Sequence, residues 1–450
     1  MIKIIVSNKV YLKPPEELIK ILERNYVFEI YEHHSQKYPK IVRQINRISE
    51  EVYCIERGSL EFIVEWLTNN GYEFTIVDRT VECPVNINTM ILPPREDQTP
   101  IIEAYSKDSI INAIPGFGKT ATAIGIISKL QQRTLIVCTT TAIRDNWVSE
   151  IDKFLDMKAG VLGSGKIHSD ASIVVGNFQT VCKLSNQISK EFGLIIIDEM
   201  HHTPAASFTS ILNSSHAKYR LGLSGTLKRK DGLHVVFPGL FGTTTYQPAA
   251  NNVMKPTIVR VPCDIELSGN PQVPWANKIN DIYNNKAYTL FIAFLVQKLE
   301  AQGHKILVTG DRVEFLSELA DCYSDARLFI GEVSTDTRNA YLKDILCDKA
   351  NKIFASTSLF SEGISCNPLS ALIHTSSTNN ESLVYQLVGR IQRIVEGKPN
   401  PVVIDICFEG ALGKKHAKER KALYQVKGWD VIDVELHDLD SVLNILLQET

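Results

Sequence analysis

Ala113-Ile-Pro-Gly-Phe-Gly-Lys-Thr120 lies between an apolar run, Ser109 to Ile114, and a helix-like run, Thr120 to Leu130. A strand that turns through glycines into a helix is the setting in which backbone amides cradle phosphate oxygens. Gly116 and Gly118 let the chain take conformations that a Cβ forbids, so that the N–H groups around Pro115 and Phe117 turn inward. Lys119 then brings a point charge to the β and γ phosphates, and Thr120 opens the helix with a hydroxyl that can ligate magnesium. Ala113 stands where the pattern commonly has its first glycine. The stretch therefore predicts a strand–loop–helix unit of an α/β fold that holds a nucleoside triphosphate with Mg2+.

A second constellation supports the first. Leu194-Ile-Ile-Ile197 reads as a buried strand and runs into Asp198-Glu-Met-His201. At the tip of a central strand, Asp198 would hold magnesium and Glu199 would orient and deprotonate the water that attacks the γ phosphate. His201 and His202 form no HExxH pattern and have no cysteine pair nearby, so zinc is not expected. A third segment, Gln386-Leu-Val-Gly-Arg-Ile-Gln-Arg393, places Arg390 and Arg393 three apart, on one face if the segment is helical. Such arginines, with Gln386, can stabilise transferring phosphate charge, a role worth about a thousandfold in rate.

Taken in order, the loop, DExH and Q-x-x-G-R-x-x-R resemble the superfamily 2 helicases and translocases over nearly all of the chain from Ile91 onward. The resemblance implies two RecA-like parallel-sheet lobes and ATP hydrolysis in a cleft between them. It implies that Arg95 and Gln98 of PPREDQ read adenine, with Asp97 standing where an aromatic usually stacks. Thr139 to Trp147, including Asn146, and Gly176 to Thr180 are similar to strand-end motifs that touch a nucleic-acid backbone. In this chain Cys138 replaces a usual proline. Ser224-Gly-Thr226 is similar to the element linking hydrolysis to DNA contacts, with Arg229 of the following Lys228-Arg-Lys230 a phosphate contact. In the second half, Ile306 to Phe315 and Thr357 to Ser365 resemble elements that grip the strand, with Thr357 on nucleic acid and Gly363 at the nucleotide. Ser365 stands where many members carry an acid. The phrases GLSGTLKRKDG and ERGSLEFIVEWLTNNGYEF resemble the phage branch-migration helicases of the UvsW type. That likeness implies a DNA helicase acting on forks, junctions and single-strand/duplex boundaries, by ratcheting along one strand.

Composition bounds the rest. The chain has 450 residues, enough for about three domains. A net charge of −3 means that any nucleic-acid surface is local. Nine scattered cysteines without CxxC, no signal peptide and no apolar stretch of spanning length predict free thiols, a cytoplasmic setting (the host's, if phage-encoded) and no membrane partner. The expected division is a small N-terminal α/β domain (1–88), a first RecA-like lobe (89–250) and a second (251–450), with Gln247 to Pro256 as hinge. Lys37, Lys40, Arg43 and Arg47 lie in an acid-free stretch from His33 to Arg47, with Tyr38 among them. That stretch reads either as a duplex-backbone patch with a stacking tyrosine or as a solvated basic edge. Lys414, Lys415, His416, Lys418, Arg420 and Lys421 read as a solvated helical face. Competing functions are a duplex translocase that does not separate strands, an RNA helicase, and a non-catalytic clamp that senses ATP.

Overall fold

Thr134–Cys138 (TLIVC), Leu194–Ile197 (LIII) and Lys352–Ser356 (KIFAS) are runs with little alternation of apolar and polar residues. Such runs suit strands covered on both faces, as parallel sheets are. In a computed structural model, which describes all residues except 31–37, 115, 164–169, 201–204, 226, 228–231, 249–252, 362–365 and 449–450, they become inner strands of two parallel sheets. The chain divides into two compact units, 1–114 with 118–249, and 250–450 with 115–117.

In the first unit seven parallel strands follow one another along the chain: Ser109–Asn112, Thr134–Cys138, Gly160–Leu162, Ile173–Asn177, Leu194–Ile197, Tyr219–Ser224 and Thr245–Tyr246. Numbered 1 to 7, they lie in the order 3-4-2-5-6-1-7. The second unit has its own seven, Thr257–Glu266, Ile306–Gly310, Ala326–Phe329, Lys352–Ser356, Ala371–His374, Val402–Glu409 and Asp430–Asp433, again all parallel. Their order is also 3-4-2-5-6-1-7. Two sheets with one topology, although no internal sequence repeat stands out, are the two tandem RecA-like folds that the motifs imply.

The N-terminal segment adds a five-stranded mixed sheet, in the order Ile45–Arg47, Tyr53–Glu56, Lys9–Leu12, Ile2–Val6, Phe74–Asp78. Helices Glu16–Tyr26 and Leu60–Asn69 cover it, and Ile4, Val10, Leu18, Leu22, Ile55, Ile63 and Leu67 form its core. A two-stranded ribbon, Val27–Ile30 with Lys40–Arg43, presents Phe28, Ile30 and Val42 to the core of the first parallel sheet.

This small domain is fixed to the sheet by buried charge. Arg57 donates to both oxygens of Asp108 at 2.8 Å and to the Ala217 carbonyl at 2.6 Å. Asp108 also accepts the Arg220 amide at 2.9 Å, and the fully buried Arg220 guanidinium donates to the carbonyls of Asn8 and Leu212, each at 2.7 Å. With few carboxylates to balance its burial, Arg220 has its pKa pushed down to about 9 by desolvation and by Arg57. A Cβ on Gly58 would lie 2.1 Å from the Pro238 carbonyl oxygen, so only glycine fits this approach.

Two expectations about charge are corrected. In helix Gly410–Val426 the basic run is not a single solvated face. Arg420 turns inward, donating to Asp405 Oδ1 at 2.6 Å and to the Thr378 and Ile406 carbonyls, and His416 is buried with Nδ1 3.0 Å from Ser377 Oγ. In the N-terminal patch, Lys40 and Arg43 are three apart on a strand and so lie on opposite faces of the ribbon. Arg47 donates to the carbonyls of Ser49 and Glu50 in its own loop, and Lys37 lies outside the described residues. Among the described residues no helix is long and apolar enough to cross a membrane, and all nine cysteines are free.

Asp108→Ala leaves the Arg57 guanidinium buried beside carbonyls only. The expected loss is about 3 kcal/mol in urea unfolding. A loss below about 1 kcal/mol would show that the carbonyls alone hold the domain.

Candidate active site

The phosphate loop joins the strand Ser109–Asn112 to the helix Lys119–Leu130, which begins one residue earlier than its apolar pattern indicates. Gly116 and Gly118 have φ of +90° and +87°, the left-handed region in which a side chain is strained. Lys119 Nζ donates to the Ala113 carbonyl at 3.0 Å, stitching the loop's end to its start. Gln98 is buried, its Nε2 3.4 Å from the Gly118 carbonyl oxygen, while its Oε1 accepts the Arg95 amide at 3.0 Å. A Cβ on Gly118 would stand 2.6 Å from Gln98 Nε2 and 3.8 Å from the Arg95 guanidinium nitrogens. Residues twenty positions upstream thus wall the loop. Asp97 forms an ion pair with Arg95, Nε to Oδ1 at 3.1 Å. Thr120 is half-buried in the first turn of the helix.

The carboxylates follow the strand Leu194–Ile197. Asp198 is buried, and its Oδ2 accepts the indole N–H of Trp147 at 2.7 Å while Oδ1 accepts the Glu199 amide at 2.8 Å. Burial and the neighbouring Glu199 carboxylate push its pKa up to about 6, against the Trp147 hydrogen bond and the Lys119 charge, which lower it. Glu199 itself has φ of +46°, a conformation rare for a residue with a Cβ and found most often where a site holds it. The backbone ties this segment to both neighbouring strands: the Asp198 amide donates to the Val137 carbonyl at 3.0 Å, and the Met200 amide to Leu223 at 3.1 Å. The Ala113 amide in turn donates to the Ser224 carbonyl at 3.0 Å.

Magnesium typically takes one or two carboxylates and fills its octahedron with substrate phosphates and water. A single buried carboxylate with a spare lone pair on each oxygen, together with a threonine hydroxyl on the phosphate loop, fits that habit. Among the described residues there is no group of three or more histidine, cysteine or acidic side chains that could form an all-protein cage.

The remaining candidates sit at strand ends. Thr139 is half-buried just after Thr134–Cys138, and Asn146 is half-buried on the helix Thr141–Leu155, which Thr140 caps through its hydroxyl. Thr180, on helix Phe178–Leu184, places its Oγ1 3.7 Å from the Cβ position of Gly163, with Arg144 Nη1 at 3.4 Å. In the second unit Thr357 opens the short helix Thr357–Ser361, its hydroxyl buried and without a hydrogen-bond partner among the described residues. Pro115, Arg229, Gly363, His201, His202, Thr226 and Ser365 lie outside the described residues.

The arginines do not share a helical face. Helix Glu381–Gly389 contains the buried Gln386 but ends before Arg390, where the chain tightens into bonds from Arg390 to Leu387 and from Ile391 to Val388. Arg393 lies beyond the helix and donates to Asn367 Oδ1 at 2.5 Å. Lys398 holds this turn, donating to the carbonyls of Ile391 at 2.7 Å and Arg393 at 2.8 Å. Burial and Arg393 push its pKa down to about 8. Lys398 carried no role in the sequence reading, and Trp147 only bounded a motif there, because its partner Asp198 is distant along the chain.

A family model described as type III restriction enzyme, res subunit, matches residues 88–229, and one described as helicase conserved C-terminal domain matches 287–395. The chain is 41% identical to the Escherichia phage T5 protein named "Probable helicase D10", over 96% of each. It is 24% identical to the phage T4 "ATP-dependent DNA helicase uvsW" over 66% of this chain and 63% of that one. Among solved structures, yeast Dbp5 bound to RNA and ADP BeF3 matches with a TM-score of 0.58 at 12% identity, covering 80% of this chain and 94% of that one, a likeness of fold alone.

Because Asp198 must ionise to ligate a cation, kcat/KM for MgATP is expected to fall about tenfold per pH unit below about 6. Trp147→Phe removes a hydrogen bond that favours the ionised form, so the same limb should move to higher pH. A pH–rate profile in which the two limbs coincide would remove Trp147 from this role. With the loop, the carboxylates and both family matches in place, the chain belongs to the superfamily 2 helicases, those of the UvsW type.

Proposed function

We propose that this helicase acts on branched DNA, separating or migrating strands at forks and Holliday-type junctions during phage recombination, repair or replication. The observation that carries the coupling of ATP to nucleic acid is the pair of backbone ties at Asp198 and Ala113. They join the carboxylate segment to the strand preceding Thr139 and the phosphate loop to the strand ending in Ser224. A change of position at the phosphates reaches both strand ends through hydrogen bonds of about 3 Å, without a flexible linker. DNA rather than RNA is supported by the names of two relatives, the T4 DNA helicase and a "DNA 3'-5' translocase XPB2" of Sulfurisphaera tokodaii, 32% identical over 161 residues, although a mimivirus relative 27% identical over 333 residues is named "Putative ATP-dependent RNA helicase L396".

In this reading Lys119, with the loop amides of residues 116–120, binds the β and γ phosphates, and Arg95 and Gln98 border the base. Asp198 and Thr120 would hold magnesium, which when bound offsets phosphate charge. Glu199 orients the attacking water and takes its proton. Arg390 and Arg393, with Gln386, stabilise the charge on the transferring phosphate. Thr139, Asn146, Thr180 and Thr357, with Arg229 and exposed Lys40 and Arg43, contact phosphates of the DNA, so affinity falls steeply with salt and carries little sequence preference. The translocase named above favours one alternative, movement along duplex without strand separation.

The test is steady-state ATPase activity and strand displacement with no DNA, single strand, linear duplex, a fork and a four-way junction. Stimulation by fork or junction with displacement, both abolished in Lys119→Ala and reduced a hundredfold or more in Glu199→Gln, is expected. Stimulation by linear duplex without displacement would replace the branched reading with translocation. A loss under about tenfold in Glu199→Gln would point to an ATP-sensing clamp.

A further inference from the structure

Trp147 is fully buried, and Trp66 and Trp429 stack on Tyr72 and Tyr424 with ring centroids 5.7 and 6.0 Å apart. Trp275 differs, since 44% of it is exposed. A single exposed aromatic is ordinary on a protein surface. Three features of the second unit set this one apart.

The first is that it is held. Trp275 opens the helix Trp275–Tyr283, and Arg312 clamps that helix by donating from Nη2 to the Ala276 carbonyl at 3.2 Å and from Nε to Asn280 Oδ1 at 2.6 Å. Its ring packs on His416, centroids 6.0 Å apart, and His416 Nδ1 is 3.0 Å from Ser377 Oγ.

The second is where it is held. Arg312 follows the strand Ile306–Gly310, and Ser377 follows the strand Ala371–His374. Both anchors stand at the C-terminal edge of the parallel sheet, the edge at which such sheets place their ligand contacts.

The third is charge. On helix Gly410–Val426 the cations Lys414, Arg420 and Lys421 are paired with Glu409, Asp405 and Asp433. Lys415 and Lys418, three apart and exposed, pair with no carboxylate among the described residues. Lys415 is adjacent to His416, and on the same stripe Ala411 Cβ lies 3.5 Å from the Cβ position of Gly269, in the loop that leads to Trp275. Glu419 on the same helix accepts from Asn379 Nδ2 at 2.7 Å.

We propose that Trp275, backed by His416 and bordered by Arg312 and by Lys415, the residue next to His416, is a platform on which an unpaired base of single-stranded nucleic acid stacks. A rigid aromatic beside free cations recognises a single strand, because the base meets the ring and the phosphates meet the ammonium groups. Duplex DNA keeps its bases stacked on one another and offers the ring nothing. The proposal rests on the helicase assignment and not on the preference for branched DNA. It places a contact with the separated strand on the second lobe, at Trp275, a residue to which the sequence reading gave no role.

The experiment is a fluorescence titration of the full chain with an oligothymidylate, an oligouridylate and a blunt duplex, for the native protein, Trp275→Ala and Trp275→Phe. Expected are quenching of tryptophan emission by both single strands, loss of that quenching in Trp275→Ala with affinity about tenfold weaker, and affinity within about threefold of native in Trp275→Phe. Duplex affinity and ATPase activity without nucleic acid should stay unchanged, which also reports that the variants are folded. Native single-strand affinity in Trp275→Ala, an equal loss on single strand and duplex, or a loss in Trp275→Phe as large as in Trp275→Ala would each overturn the proposal. A protein that unwinds no fork yet shows the quenching would leave the platform standing and remove the branched-DNA reading.

Discussion

Parallel pairing means that all strands of a sheet end on the same edge, and in the first lobe this one constraint arranges the whole site. Read across the sheet in the order 4-2-5-6-1, the strand ends deliver the segment leading to Thr180, then Thr139, then Asp198 and Glu199, then Ser224, then the phosphate loop. Neighbouring strands are about 4.8 Å apart, so each function is one step from the next. The nucleic-acid candidates occupy one half of the edge and the phosphate-binding residues the other, and the carboxylates stand where the halves meet. The strand that carries the acid is bonded directly to the strand that carries Thr139, so the proposed hydrolytic and nucleic-acid contacts stand on neighbouring strands.

That central position has a cost. A carboxylate between two covered strands is poorly solvated, and a second carboxylate follows it, so Asp198 resists ionisation. Trp147 offsets part of this by donating to the same group, and the donor comes from the helix after Thr139. The helix that would respond to the nucleic acid therefore also sets how readily the ATP site takes its cation. The left-handed backbone of Glu199 belongs to the same compromise: it lets the chain leave the strand while returning its amide to Asp198. Strain kept at a residue with a chemical task is strain that the surrounding ties can hold.

Local patterns in the sequence were enough to locate these strands and the glycine turn. Leu194–Ile197 has no polar residue, and the loop needs glycines where φ is positive, so both were legible one residue at a time. The two-lobe plan was legible as well, since the order of motifs carries it. What escaped was whatever depends on partners far along the chain. Arg390 and Arg393 at a spacing of three imply a common helical face, yet the helix stops at Gly389 and Lys398, whose contacts no spacing reveals, braces the turn beyond it. Arg420 looked like surface charge because its partner Asp405 is fifteen residues away on a strand. In the basic N-terminal stretch the sequence left two readings open. Charge counted along a line ignores the two-residue period of a strand, which sends Lys40 and Arg43 to opposite faces.

The N-terminal domain completes the mechanical argument. Its clasp, Arg57 to Asp108 and Arg220 to the Asn8 carbonyl, grips the first and sixth strands of the lobe at their N-terminal ends, opposite the edge where the chemistry sits. Buried charges that find their partners only in one arrangement make poor hinges, because any displacement strands a guanidinium away from its carbonyls. The domain is therefore a fixed extension of the first lobe. The sixth strand is the shared lever: its start is bonded to the N-terminal domain, and at its end Ser224 accepts the amide of Ala113 at the threshold of the phosphate loop. Load on the accessory domain and occupancy of the nucleotide site act on opposite ends of one six-residue strand.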